Sequence, residues 1–171
     1  TLKPLRMMIM GVPNVGKSTL MNAILNKRIA KVGDEPAITK QQQRHQINDH
    51  MILVDTPGMM WPKIDQEHDG YLLAINNSIG KNAYFEDEVA EKLGDILLKD
   101  YPLLIASRYK IENLKIDAST LLDEIAKNKK LPLKNLSIDR ERAGGALLND
   151  YRQGLLGFIS LESPSSRYLK K

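Results

Sequence analysis

The chain has 171 residues, 42% of them hydrophobic and 27% charged, with eight prolines and eleven glycines spread along its length. That balance excludes wholesale disorder and allows either one domain or two small ones around a real core. Cysteine is absent, which excludes a disulfide framework, a thiolate metal centre and a cysteine nucleophile; the composition fits a reducing compartment, and a cytoplasmic location is expected. The net charge of +4 permits contact with nucleic acid without requiring it.

In chain order, Leu5-Arg6-Met7-Met8-Ile9-Met10 is a short apolar run that reads as a buried strand. It is far too short to cross a membrane and lacks a signal-peptide layout, so no membrane partner is expected. The strand starts almost at Thr1, which reads as an excerpt of something longer. A glycine-bearing loop follows, and residues 18–26 then place Leu20, Met21, Ile24 and Leu25 at helical spacing. Residues 30–43 turn polar around Gly33-Asp34-Glu35-Pro36 and read as a mobile loop. An edge strand is expected at 42–47, and Met51-Ile52-Leu53-Val54 is a buried strand that stops at Asp55-Thr56-Pro57-Gly58.

Helices are expected beyond Trp61-Pro62, first over 66–78 and then over 85–99, where Val89, Leu93, Ile96 and Leu97 form one face. Pro102 marks the break before the next helix. Leu121, Leu122 and Ile125 mark a shorter one, and Leu147, Leu148, Tyr151 and Leu155 mark the last, with Gly144-Gly145 ahead of it read as a helix start or an interhelical turn and an extended segment over 158–161 closing this half. The domain boundary is expected near Gly80-Lys81-Asn82.

Gly11-Val12-Pro13-Asn14-Val15-Gly16-Lys17-Ser18 fits G-x-x-x-x-G-K-[ST] between an apolar strand and an amphipathic helix, the context a phosphate loop needs. Glycines let successive backbone N–H groups converge on a phosphate, and the helix start adds a favourable dipole. The candidate nucleotide-binding residues are Pro13, Asn14, Val15, Gly16, Lys17, Ser18 and Thr19, together with Gly58. Lys17 would reach the β- and γ-phosphates, and the Ser18 hydroxyl would ligate Mg²⁺. Asp55, at the carboxyl end of the next buried strand, would position the same metal, and Gly58 stands where a backbone N–H can approach the γ-phosphate. Thr39, in the polar loop between these motifs, is a candidate second hydroxyl ligand to Mg²⁺. Each has a plainer reading: a chance glycine loop, an ordinary turn, a loop threonine acting as a cap. The combination favours a GTPase over a generic phosphate-loop ATPase, with Lys17, Thr39 and Gly58 as its catalytic candidates.

Together GVPNVGKSTLMN, GDEPAITKQQQ and DTPGMMWPK resemble the ribosome biogenesis GTPase A family of circularly permuted GTPases, and LNDYRQGLLG over 148–157 carries a weaker echo. Trp61-Pro62-Lys63 is the most specific element of the resemblance, although Trp61 by itself could equally be a core or interdomain anchor. Met59 follows Gly58 where classical small GTPases have glutamine, and a thioether cannot orient the attacking water. The resemblance implies a GTPase that relies on groups supplied elsewhere, often by the ribosomal particle. Asn14 matches the position that holds K⁺ in potassium-stimulated relatives; alternatively it only shapes the loop.

No N-K-x-D guanine-reading motif exists here, since Asn113-Leu114-Lys115-Ile116-Asp117 has the letters at the wrong spacing. In permuted members that motif precedes the phosphate loop, so a segment beginning at Thr1 would lack it and would bind nucleotides weakly and with little base selectivity. The expected fold class is α/β: a partial, circularly permuted P-loop GTPase core over 1–82, then a small, mainly α-helical C-terminal domain over 83–171. The resemblance implies a GTP-hydrolysing assembly factor for the large ribosomal subunit, with Mg²⁺ and K⁺ as cofactors, the subunit precursor and rRNA as partners, and a monomer off the ribosome. Lys127, Lys129, Lys130, Lys134 and Arg152 are candidate RNA contacts, the plain alternative being a solvated helix end. The rival functions are an RNA-binding module with a vestigial nucleotide site and a generic phosphate-loop ATPase. His45, His50 and His68 lack metal-ligand spacing.

Overall fold

The computed structural model describes residues 3–27, 42–61, 63–134 and 137–163, and it divides into two compact units, Thr1–Gly80 and Lys81–Lys171. In the first unit β1 (Leu5–Ile9) leads into α1 (Lys17–Leu25), followed by β2 (Gln43–Asn48), β3 (Met51–Asp55) and α2 (Glu67–Ile75). The sheet order is β1-β3-β2, with β1 parallel to β3 and β2 antiparallel to it. A tight turn joins β2 to β3, where the Asn48 side chain accepts from the His50 N–H at 2.9 Å, and the register slips between Gln46 and Asn48.

The parallel pair is the functionally decisive feature. Ile9 stands opposite Asp55, so the carboxyl ends of both strands arrive side by side. The chain leaving β1 is therefore the neighbour of the chain leaving β3. Met21 of α1 and Leu53 of β3 form the buried centre beneath them, flanked by Met7, Ile9, Leu25 and Ile47. Trp61 lies outside that core, with 76% of its surface exposed.

The second unit contains α3 (Glu86–Asp100), α4 (Pro102–Tyr109), α5 (Ala118–Asn128) and α6 (Arg140–Arg152), with a short antiparallel pair β4 (Leu133–Lys134) and β5 (Ser137–Ile138) between α5 and α6. Val89, Leu93 and Leu97 of α3, Leu121, Leu122 and Ile125 of α5, and Leu147 and Leu148 of α6 are fully enclosed. Burying each stabilises this unit by about 1.5–3 kcal/mol. Ile96, expected on the same face, is half-buried at its flank, and Ala90 takes the inner position. Asp117 and Asp139 start α5 and α6 by accepting the N–H groups of Thr120 at 2.8 Å and Arg142 at 3.1 Å. The N-K-x-D look-alike is thus part of a helix start. Pro102 occupies the first position of α4, where its missing N–H costs nothing.

Two expectations are corrected here. Gly144 and Gly145 neither start a helix nor form an interhelical turn; they lie inside α6. A Cβ on Gly144 would sit 3.0 Å from Ala90 Cβ and 3.1 Å from the Glu86 carbonyl oxygen, so the glycine lets α6 press directly onto α3. Residues 158–161 form no strand, and Phe158 is fully exposed. α6 also carries a buried carboxylate: Asp150 accepts from Arg108 Nε at 3.0 Å and Tyr109 Oη at 3.1 Å on one oxygen, and from Lys129 Nζ at 2.9 Å on the other.

Candidate nucleotide-binding site

Because β1 and β3 end together, the loop 11–16 and the segment 55–59 lie side by side in the first unit. Asp55, 1% exposed, receives a hydrogen bond from Ser18 Oγ on its Oδ2 at 3.4 Å. Thr56 fixes the strand end by donating its hydroxyl to the Ile9 carbonyl at 2.7 Å, and the Met59 N–H donates to the Gly11 carbonyl at 3.1 Å. Residues 55–59 are thus bound at three points, to α1 through Ser18, to the end of β1 through Ile9 and to the loop through Gly11.

Gly58 makes the closest approach. A Cβ there would lie 2.7 Å from Pro13 Cα and 2.8 Å from Pro13 N, within the phosphate loop's own backbone. No side-chain rotation relieves a clash with backbone, so Gly58→Ala must move one loop off the other. The expected result is about tenfold weaker binding of Mg²⁺·GTP in a fluorescence titration. Unchanged affinity would mean that the contact is idle.

The phosphate loop opens α1 after Gly16, which has φ 86°. The N–H groups of the first turn have no helical acceptors, which makes this end suitable for an anion. Lys17 Nζ donates to the Val12 carbonyl at 2.7 Å, so its ammonium lies over the loop it belongs to. Val15 and Thr19 are exposed, and Pro13, Asn14 and Ser18 are half-buried. Asn14 has φ 58°, and its Nδ2 donates to the Asn77 carbonyl at 2.7 Å.

The donor set suits Mg²⁺, a hard cation that takes one or two protein oxygens and completes its octahedron with water and phosphate oxygens. Ser18 and Asp55 supply a hydroxyl and a carboxylate at one spot. Among the described residues no group of three or more His, Asp or Glu side chains could form an all-protein metal cage. Thr39 lies outside the described residues.

The candidate RNA contacts fall elsewhere, in the second unit, and most have acidic or hydroxyl partners. Lys127 pairs with Glu124 at 2.6 Å, Lys134 lies 3.8 Å from Glu141, and Arg152 Nη2 donates to Tyr84 Oη at 3.4 Å. Lys129 is bound to the buried Asp150. Lys127, Lys130 and Lys134 are exposed.

Sequence reasoning passed over Thr56 and Asn77. Thr56 sits inside a recognised motif but its hydrogen bond needs the partner strand. Asn77 follows the apolar run of α2, where an asparagine signals a left-handed helix end, yet nothing local indicates what its carbonyl meets.

Comparison with known proteins bears on the family and the fold. Residues 6–133 match the family model described as 50S ribosome-binding GTPase. Ribosome biogenesis GTPase A of Bacillus cereus is 35% identical over 162 residues, covering 95% of this chain and 55% of that protein. The Priestia megaterium protein of the same name is 33% identical over 163 residues, covering 95% and 57%. The chain spans little more than half the length of these relatives. Among solved structures, GDP-bound YlqF matches with a TM-score of 0.63 at 25% identity, covering 95% of this chain and 62% of that one. GNP-bound YlqF from T. maritima matches with a TM-score of 0.61 at 25% identity, covering 93% and 59%.

Proposed function

This chain belongs to the 50S ribosome-binding GTPase family, and from that membership we propose that it carries the phosphate and Mg²⁺ half of a GTP-hydrolysing factor for assembly of the large ribosomal subunit. The observation that supports this reading most directly is the meeting of Ser18 and Asp55 beside a loop whose backbone is touched by Gly58. A single triphosphate seated at the start of α1 reaches all three groups.

In this reading Lys17 leaves the Val12 carbonyl for the β- and γ-phosphates, and the backbone N–H groups of residues 13–19 surround them. Ser18, Asp55 and Thr39 would hold Mg²⁺, which would supply neutralising charge to the triphosphate. The Gly58 N–H reads the γ-phosphate, so its loss on hydrolysis frees the segment that Gly58 and Met59 anchor to the phosphate loop. Asn14 would offer an amide oxygen to K⁺, an ion that would take the electrostatic place of an arginine finger. Met59 brings no group able to orient water, so hydrolysis depends on groups beyond this segment.

The division of labour runs near residue 82. The helical part would contact rRNA or the subunit precursor through Lys127, Lys130, Lys134 and Arg152, with Lys129 contributing less because Asp150 already holds its charge. No helix among the described residues is long and apolar enough to cross a membrane, and the factor acts as a cytoplasmic monomer off the ribosome.

The test is nucleotide calorimetry on this chain with Mg²⁺. Without an N-K-x-D carboxylate, which elsewhere adds charge-assisted hydrogen bonds of about 1.5–3 kcal/mol each, GTP and ATP are expected to bind within about tenfold of each other. Tight, GTP-selective binding would contradict that expectation, and no binding of either would favour an RNA-binding module. Cosedimentation with large-subunit particles, compared with and without a GTP analogue, separates an assembly factor from a generic ATPase.

A further inference from the structure

The Asn14 side chain is tied to a residue 63 positions away, and the far end of that tie is a defined helix cap. Asn77 ends α2 in the left-handed conformation at φ 56°. Its own N–H donates to the Ala74 carbonyl at 2.9 Å, and the Ser78 N–H donates to Leu73 at 2.8 Å. This paired pattern is the Schellman termination of a helix. Ser78 is 1% exposed and Ile75 is fully buried, so the cap is seated in the unit. The left-handed turn directs the Asn77 carbonyl to Asn14 Nδ2 at 2.7 Å.

We propose that Asn77 is a positioning residue for the phosphate loop: its left-handed cap presents a carbonyl that holds the Asn14 amide, and with it the loop, in the shape that receives phosphate. A carbonyl can only accept, so it must meet the NH₂ end of the amide, which settles which end of Asn14 carries the oxygen. Asn14 also sits at φ 58°, a conformation that non-glycine residues adopt at some cost, and the side-chain bond offsets that cost. The two residues thereby link the end of α2 to the nucleotide site. The stretch from Gly58 through the end of α2 then meets the phosphate loop at both ends, at Pro13 through Gly58 and at Asn14 through Asn77. This inference rests on the nucleotide-binding reading above.

The experiment changes the cap without touching the carbonyl's identity. Valine resists the left-handed region because of its branched Cβ, whereas glycine enters it freely. In titrations of the 171-residue chain with Mg²⁺ and N-methylanthraniloyl-GDP, Asn77→Val is expected to weaken binding about tenfold, and Asn77→Gly to restore affinity to within about twofold of the parent. Asn14→Gly, which keeps the left-handed backbone and removes the amide, should cost a similar factor. Asn77→Val in the Asn14→Gly background should then add nothing. A general packing role for the cap would instead give losses that add, and that result, or an unaltered Asn77→Val chain, overturns the proposal.

Amide and side-chain NMR of the nucleotide-free chain decides the matter independently. Shifts of residues 11–18 and of the Asn14 NH₂ pair in Asn77→Val, absent in Asn77→Gly, support it; an unmoved loop in Asn77→Val refutes it. Should the parent chain show no saturable nucleotide binding, the functional reading fails while this measurement still judges the contact. If Asn77→Val does not fold, Asn77→Ala, a milder burden on the left-handed cap, carries the test: weaker binding with shifted amides over 11–18 supports the proposal, and parental affinity with an unmoved loop overturns it.

Discussion

Alanine at Lys17 is expected to weaken Mg²⁺·GTP binding about 100-fold while leaving the melting of the nucleotide-free chain within about 0.5 kcal/mol of the parent. The asymmetry follows from what Lys17 touches. Among the described residues its ammonium donates to the Val12 carbonyl from a half-buried position, and water replaces that bond at little cost. With nucleotide the same ammonium would face two phosphates beside a helix start, where charge-assisted bonds are roughly twice as strong as neutral ones. The measurement is a pair of titrations, with GTP and with inorganic triphosphate. A parallel loss for both assigns the effect to phosphate contact. An unchanged affinity for either would remove Lys17 from the site and leave the phosphate-loop reading without its principal cation.

How far such a site can be read from sequence depends on how far apart its parts lie. The phosphate loop is legible because its geometry is local: a strand, eight residues and a helix fix each other's positions through the covalent chain. Asp55 and Gly58 are legible one step further out, since an apolar strand stopping at a carboxylate suggests where that carboxylate sits if the two strands are parallel, as β1 and β3 are. Asn77 is beyond this range. Its left-handed conformation has a local signature, but its partner is 63 residues away.

The helical unit shows the same boundary from another side. Apolar periodicity located α3, α5 and the second half of α6 because enclosed faces repeat every three to four residues, whereas Leu155, expected on the last helix, lies beyond its end and is exposed. Gly144-Gly145 misled because a glycine pair resembles a break, and only the presence of Ala90 and Glu86 across the helix interface explains why side chains are excluded there. β4 and β5 have two residues each, too few for any period to register. Lys129 looked like its neighbours in a basic stretch. Nothing in Lys127-Asn128-Lys129-Lys130 distinguishes the lysine that turns inward, because what distinguishes it is Asp150, 21 residues later.

That inward pair sets the second large effect, a loss of about 3 kcal/mol from unit stability on Asp150→Asn. Asp150 stands near the carboxyl end of α6, where a negative charge is disfavoured by the helix dipole, and it is 2% exposed. Three donors meet its two oxygens. An asparagine would point an NH₂ group at donors on one side, leaving buried hydrogen-bonding groups opposed. The loss stays at the lower end for a broken buried pair, because the side chains of Arg108 and Lys129 keep 36% and 29% exposure and can turn to water. Burial by itself would raise the Asp150 pKa; the hydrogen bonds from Arg108, Lys129 and Tyr109 outweigh it and hold the group below the usual carboxylate value. Burial, reinforced by the Asp150 charge, raises the Tyr109 hydroxyl and keeps it a donor. A carboxylate with a lowered folded pKa binds fewer protons folded than unfolded, so its stabilisation is complete above about pH 4 and is lost as pH falls through the folded value. Denaturant titrations should therefore run level for this term from pH 7 to 5 and drop below 4. Asp117, lowered by its hydrogen bonds from Thr120, adds to the same acid limb. Asp150→Asn should start lower at pH 7 and lose stability less steeply in acid, with the Asp117 contribution remaining; an acid limb as steep as the parent's would show that Asp150 is not the group being protonated.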